Sequence, residues 1–174
     1  NFTASELEKF VGVDKNNIKV IYNGIDEKWF NVKREKPIYY KPYLLYVGNV
    51  KPHKNLGNLV KAFDLIKDKI PHDLIIVGKK EGFITGDKNI FNLTEKLSDR
   101  IIFTGHVDDN LLRQYYKQAD LFIFPSLYEG FGLPPLEALA TGTKVICSNI
   151  LTLKEVCKNM VDYFDPLDIN SISK

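Results

Sequence analysis

Two spacings of apolar residues alternate along this chain. The first is a short, nearly unbroken run of β-branched, leucine and aromatic side chains: "IKVIY" (18–22), "YLLYV" (43–47), "DLIIV" (73–77), "RIIFT" (100–104), "DLFIF" (120–124) and "TKVIC" (143–147). Runs with no polar alternation suit strands covered on both faces, as in a parallel sheet. The second spacing is helical. In 55–70, Leu56, Leu59, Val60, Phe63 and Ile66 form one stripe, and in 108–119, Leu111, Leu112, Tyr115 and Tyr116 form another behind an N-cap at Asp108 or Asp109. A third helix is expected from Pro134 or Pro135 to about Thr141, with proline at its start and Gly142 just past its end. Strands alternating with helices predict an α/β fold, a Rossmann-like doubly wound parallel sheet.

The strands exit into small or turn-forming residues: Gly48, Gly78, Gly105 and Pro125-Ser126. Open parallel sheets bind ligands outside the carboxyl ends of their strands, so chemistry is expected at this edge. The proline-containing stretch 32–42 reads as an irregular crossing. "NFTASELEKFVGV" opens as a capped helix with no strand before it, and "DPLDINSISK" breaks off as an Asp-led helix begins. The expectation is one domain over 1–174, cut from a longer chain, with 1–17 at its interdomain edge.

Composition narrows the class. Of 174 residues, 44% are hydrophobic and 26% charged, the balance of a globular protein. Twenty-four basic residues against 22 acidic ones leave a net charge of +2, which gives no reason to expect nucleic acid as a partner. Any anion must be held locally. Cys147 and Cys157 have no metal-ligand spacing and suggest reduced thiols in a cytoplasmic setting, and the three histidines form no zinc pattern. No run approaches the roughly 20 apolar residues of a membrane span.

The densest chemistry lies in "EGFGLPPLE" (129–137). Gly130 and Gly132 let the backbone approach a ligand, and the helix opening near Pro134 leaves free amides around Gly132 and Leu133, backed by the helix dipole. That is a seat for phosphate. Carboxylates beside it would be repelled by phosphate oxygens and should take hydroxyls instead: Glu137, expected in the first helical turn, a ribose, and Glu129, before the glycines, a sugar. From spacing alone, a helix-dipole role for Glu137 and a solvated loop position for Glu129 fit equally well. The second cluster, "GNVKPHKN" (48–55), brings Lys51 and Lys54 to the same edge, where ammonium groups opposite the amides would complete a diphosphate cradle.

With both clusters in view, the sequence resembles the retaining group 1 glycosyltransferases, specifically the donor-binding, C-terminal half of their two-domain GT-B fold. The likeness runs through "VIYNGID" (20–26), "YVGNVKPHKNLGNLVKAF" (46–63), "LIIVGK" (74–79), "IIFTGHV" (101–107), "ADLFIFPSLYEGFGLPPLEALATGTKVICSN" (119–149) and "FDPLD" (164–168). Its most specific part is the family's pair of glutamates eight positions apart, here Glu129 and Glu137.

The resemblance implies that Glu129 and Lys54 serve catalysis. The nucleotide sugar would be bound by Gly48, Asn49, Lys51, Lys54, Gly78, Lys79, Gly105, His106, Val107, Gly130, Phe131, Gly132, Leu133 and Glu137, with no metal or other cofactor. "TLKEV", through Glu155, matches a family helix start in which proline is usual where Lys154 stands. Many members carry arginine where this chain has Asn49. Either Lys51 or His53 supplies the missing charge, or Lys54 and backbone amides carry the load.

The implied reaction moves a hexose to a glycan or lipid-linked acceptor bound by a further domain. The phosphate loop resembles that of mannose-transferring members of bacterial polysaccharide and lipopolysaccharide synthesis, which implies GDP-mannose, with UDP-hexoses as the alternative. It also implies a cytoplasmic enzyme associated peripherally with the inner membrane face. Two other classes are compatible with the residues: a nucleotide-binding module without catalysis in isolation, and a retaining glycoside hydrolase built on two carboxylates.

Overall fold

The computed structural model describes residues 1–78 and 88–174. Strands β1 (Tyr43–Val47), β2 (Asp73–Val77), β3 (Ile101–Gly105), β4 (Leu121–Phe124), β5 (Val145–Ser148) and β6 (Asp162–Phe164) form one sheet in the order β3-β2-β1-β4-β5-β6. Every ladder is parallel. The α-helices are α1 (Phe2–Glu6), α2 (Leu56–Ile66), α3 (Lys88–Lys96), α4 (Asp109–Gln118), α5 (Leu133–Ala140), α6 (Leu151–Cys157) and α7 (Ile169–Ile172).

The unbroken apolar runs are explained by burial on both faces. In β1, Leu44 and Tyr46 join a core with Leu56, Val60 and Phe63 of α2 and Ile172 of α7. Tyr43 and Leu45 point the other way, into a core with Tyr116 of α4, Ala138 of α5 and Leu153 of α6. The side chains of β2 divide likewise, Leu74 and Ile76 against Ile75 and Val77.

The order of strands reverses between β1 and β4, which makes this the topological switch point of a doubly wound sheet. Pairing there is brief. β1 and β2 match over five residues, whereas β1 and β4 match only at Leu44 with Leu121 and Leu45 with Phe122. Beyond Leu45 and Phe122 the strands run on without a shared ladder.

One expected strand is absent. Residues 18–22 form neither strand nor helix and lie outside the sheet, with Ile21 79% exposed. They line a cleft of about 490 Å³ with α1, Gly130, Phe131 and Glu155. β-forming composition is not enough without a ladder partner. Two elements were not expected: β6, three residues with its first exposed, and α3.

The crossing at 32–42 has an unusual support. Gln114 of α4 accepts from the Glu35 amide (3.1 Å) and donates to the Lys33 carbonyl (3.0 Å). Gln118, one turn later, accepts from the Ile38 amide (3.1 Å) and donates to the Lys36 carbonyl (3.3 Å). At the amino end of the sheet, the fully buried Asp73 carboxylate meets Arg100 Nε (2.7 Å), Lys41 Nζ (3.1 Å) and the Tyr39 hydroxyl (2.6 Å).

Candidate functional site

Two loops meet at the switch point. The loop after β1 ends in a 3₁₀ turn, Pro52–Lys54, and passes into α2 through Asn55, which adopts φ 55°, ψ 29°. Asparagine tolerates this left-handed conformation better than most residues. Its side-chain amide then donates to the carbonyls of Pro125 (3.0 Å) and Pro166 (2.8 Å), while the Leu127 amide donates to the His53 carbonyl (2.8 Å). The loop after β4 is thereby stitched to the loop after β1. Farther back, the Tyr46 hydroxyl donates to the Asn49 carbonyl (3.2 Å), bracing the start of the loop after β1.

This stitching brings Lys54 Nζ to 2.6 Å from Glu129 Oε1, with the two side chains only 19% and 12% exposed. The ammonium also stands 5.4 Å from the centre of the Phe124 ring. Thr152 holds the Glu129 carbonyl at 2.9 Å. The next residues are tied to the N-terminal segment: Thr3 donates to the Gly130 carbonyl (3.2 Å), Phe2 packs edge-on against Tyr128, and Tyr22 lies against Phe131. Glu155 joins the same assembly by accepting from the Phe2 amide (2.8 Å) and the Tyr22 hydroxyl (2.6 Å).

The α5 terminus offers fewer free amides than the expected anion seat would. Gly132, at φ 95° and ψ 60°, is the N-cap of α5, and no side chain caps the helix. Because α5 begins at Leu133, Pro134 and Pro135 occupy its second and third positions and contribute no amide hydrogen. The free donors of this terminus are therefore the Gly132 and Leu133 amides, which meet no acceptor among the described residues.

The same boundary corrects the placement of Glu137. It is the fifth residue of the helix, beyond the first turn, so the dipole has little hold on it. Its carboxylate instead accepts a hydrogen bond (3.1 Å) from the Tyr116 hydroxyl of α4, which is itself fully buried under the edge of Trp29. Burial pushes the Glu137 carboxyl above its ordinary range. The Tyr116 hydrogen bond pulls it partly back, Asp109 adds to the rise and Lys28 opposes it. Lys28 and Asp109 pair at 2.9 Å beside it.

Gly48, Gly78 and Gly105 meet at the ends of β1, β2 and β3. The Gly78 amide donates to the Gly105 carbonyl (3.0 Å), and a Cβ on Gly78 would stand 2.2 Å from the Gly48 carbonyl oxygen, so only glycine fits. His106 is exposed just beyond Gly105, and Val107 packs on the core that contains Tyr116. Asn49, Lys51 and His53 are exposed on the loop after β1, and Lys79 lies outside the described residues. Among the described residues no group of three histidine, cysteine or carboxylate side chains could hold a metal ion, and no helix is long and apolar enough to cross a membrane.

Sequence reasoning missed Asn55, Tyr46 and Tyr116 as parts of the site. Asn55, directly before a helix and able to adopt positive φ, was the one with a readable signal.

The switch point of this doubly wound sheet carries a cation, a nearby carboxylate and a helix terminus, and by comparison the chain belongs to the group 1 glycosyl transferases, matching that family over residues 27–173. It is 36% identical over 166 residues to O-antigen chain mannosyltransferase RfbU of Salmonella typhimurium, covering 95% of this chain and 45% of that protein. It is 37% identical over 135 residues to O-antigen chain mannosyltransferase B of Escherichia coli, covering 75% of this chain and 35% of that one. Among solved structures, sucrose-phosphate synthase from Thermosynechococcus elongatus superposes with a TM-score of 0.75 at 28% identity, over 98% of this chain and 45% of that protein. A glycosyltransferase from Rickettsia africae shares the fold with a TM-score of 0.78 at 24% identity, over 99% of this chain and 49% of its own. The architecture is thus Rossmann-like, of the GT-B type. The chain spans less than half the length of these relatives.

Proposed function

We propose that this chain is the donor-binding part of a retaining hexosyltransferase that takes mannose from GDP-mannose and passes it to a glycan or lipid-linked acceptor in cell-surface polysaccharide or lipopolysaccharide synthesis. The observation that carries the reading is the joining of Lys54, Glu129 and the free Gly132 and Leu133 amides at the switch point. Breaking the sugar–phosphate bond develops negative charge on the diphosphate and positive charge on the sugar. Lys54 and the two amides stabilise the leaving group, with no metal required, while Glu129 holds sugar hydroxyls or faces the developing cation. Glu137, set apart beside Tyr116, takes the ribose hydroxyls. Gly48, Asn49, Lys51, Gly78, Lys79, Gly105, His106 and Val107 border the nucleotide, and Gly130 and Phe131 border the sugar.

Mannose as the transferred sugar is supported by the names of the two bacterial relatives, with a UDP-hexose as the second reading. The acceptor site belongs to another part of the protein, which works in the cytoplasm at the inner membrane face. Taken alone, this chain binds nucleoside diphosphate and transfers little. Titration calorimetry with GDP and UDP tests the proposal. GDP should bind, and Glu137→Ala should weaken binding at least tenfold. No binding of either nucleotide at millimolar concentration would count against the site. Sustained hydrolysis of a simple glycoside without nucleotide would favour the glycosidase reading.

A further inference from the structure

The Lys54 ammonium, the principal cation of the diphosphate cradle, is already taken. It lies 2.6 Å from Glu129, and both side chains are largely withdrawn from water, so the pair is little screened. A diphosphate entering the seat must draw on the same ammonium. Lysine has three donors, so it can serve Glu129 and one phosphate oxygen together. What it cannot do is separate them: Glu129 then stands beside a second anion.

The outcome depends on what the diphosphate carries. A sugar brings hydroxyl donors to Glu129, which can turn to them and leave Lys54 to the phosphates. A bare nucleoside diphosphate brings none, so Glu129 either stays on Lys54, in competition with the phosphate, or is left nearly buried without a partner. Both alternatives penalise the sugar-free nucleotide. The Phe124 ring behind the ammonium, at 5.4 Å, holds the cation in place in either case.

We infer that Glu129 is a specificity-determining residue at the level of binding: through its pair with Lys54 it makes the site favour the sugar-bearing donor over the bare diphosphate product. This inference rests on the proposed function and adds a consequence. The product leaves because Glu129 reclaims Lys54 once the sugar has gone. No bond is made or broken in this step, and the ammonium changes partners without losing its proton.

The test is calorimetry on the full chain with GDP and GDP-mannose. Glu129→Gln keeps hydrogen-bonding capacity towards a sugar but removes the charge that competes for Lys54. It should tighten GDP about tenfold, equivalent to about 1.4 kcal/mol, and leave GDP-mannose within about threefold, so that the preference for the donor shrinks. On a Lys54→Met background the same substitution should tighten GDP distinctly less, because no ammonium remains to be released and only repulsion between carboxylate and phosphate is relieved. A gain of undiminished size there would show bulk repulsion alone and overturn the pairing argument, as would a Glu129→Gln chain that binds GDP no better than the original. Circular dichroism melts confirm that each variant is folded. If the original chain binds GDP and loses it with Glu137→Ala, the site reading stands even when this inference fails. If it binds none of GDP, UDP and GDP-mannose, both fall.

Discussion

Replacing Gly132 with alanine is a sharp test of how the anion seat is built. At φ 95° and ψ 60°, an added Cβ meets its own carbonyl, and left-handed backbone costs a residue with a side chain about 1–2 kcal/mol. The same Cβ would stand 2.6 Å from Cδ2 of Leu153, roughly 1 Å inside ordinary carbon contact. Leu153 is fully buried in the core formed with Tyr116, Phe124 and Ala138, so relieving the overlap means displacing it within that core, and overpacking adds about 1–3 kcal/mol. The expected total is about 2–5 kcal/mol, measured as a lower urea midpoint with an unchanged slope. The two contributions separate in a double mutant. Leu153→Ala removes Cδ2 at a cost of its own of about 2–5 kcal/mol, but on that background Gly132→Ala should lose its overlap and retain only the backbone strain. The pair should therefore cost about 1–3 kcal/mol less than the sum of the singles. Additivity within about 0.5 kcal/mol, or a single mutant as stable as the original, would refute the account of the seat.

Other consequences can be checked independently. Asp73→Asn leaves Arg100 and Lys41 without their shared carboxylate and should cost about 3 kcal/mol, roughly 6–12 °C in a calorimetric melt. Burial raises the Asp73 carboxyl, but hydrogen bonds from Tyr39, Arg100 and Lys41 outweigh burial and hold it below the usual value. Its contribution is therefore present above the unfolded carboxylate value and should fade as pH falls through the lowered one, closing the gap between original and variant in acid. Glu137 has the opposite sign. Its raised carboxyl favours the fold below the usual carboxylate value, and that contribution is lost as pH rises, so Glu137→Gln should melt no lower than the original at pH 7. GDP affinity measured across pH should begin to fall, on acidification, at a higher pH than an ordinary carboxylate would give, and Tyr116→Phe should move that fall higher still. Cys147 and Cys157, both fully buried, should react with a thiol reagent only as the chain unfolds, which a colorimetric assay along a urea series reads directly.

Five strands were legible as unbroken apolar runs, β1, β2, β4 and β5 because most of their residues are buried, and edge strand β3 by the same pattern although only Ile101 is buried in it. The same reasoning overreached at 18–22, where the residues are right for a strand but no partner presents an edge, and it passed over β6, too short to show a pattern. At the site, the glycines, the prolines and both glutamates of 129–137 were legible, since local backbone demands write themselves into local sequence. The position of Glu137 was not, because the helix starts one residue before the first proline. The contact of Lys54 with Glu129, 75 residues apart, depends on Asn55 adopting a left-handed turn and clamping the β4 exit. The Tyr116 hydrogen bond to Glu137 likewise depends on how α4 packs on α5. Contacts of this kind are set by tertiary packing and carry no periodic trace.

The two glutamines of α4 have a different kind of consequence. They hold residues 33–38 through main-chain groups alone, in the manner of a strand ladder supplied by side chains. A grip on the backbone is blind to the side chains it carries. Substitutions at Lys33, Arg34, Glu35 and Lys36 should therefore leave the path of the chain undisturbed, provided none is proline at position 35, whose amide is one of the groups held. Gln114 and Gln118 themselves should be far less replaceable. Mutational tolerance in this region would then be inverted from the usual expectation, with freedom in the long crossing and constraint concentrated in two uncharged side chains on the helix beneath it.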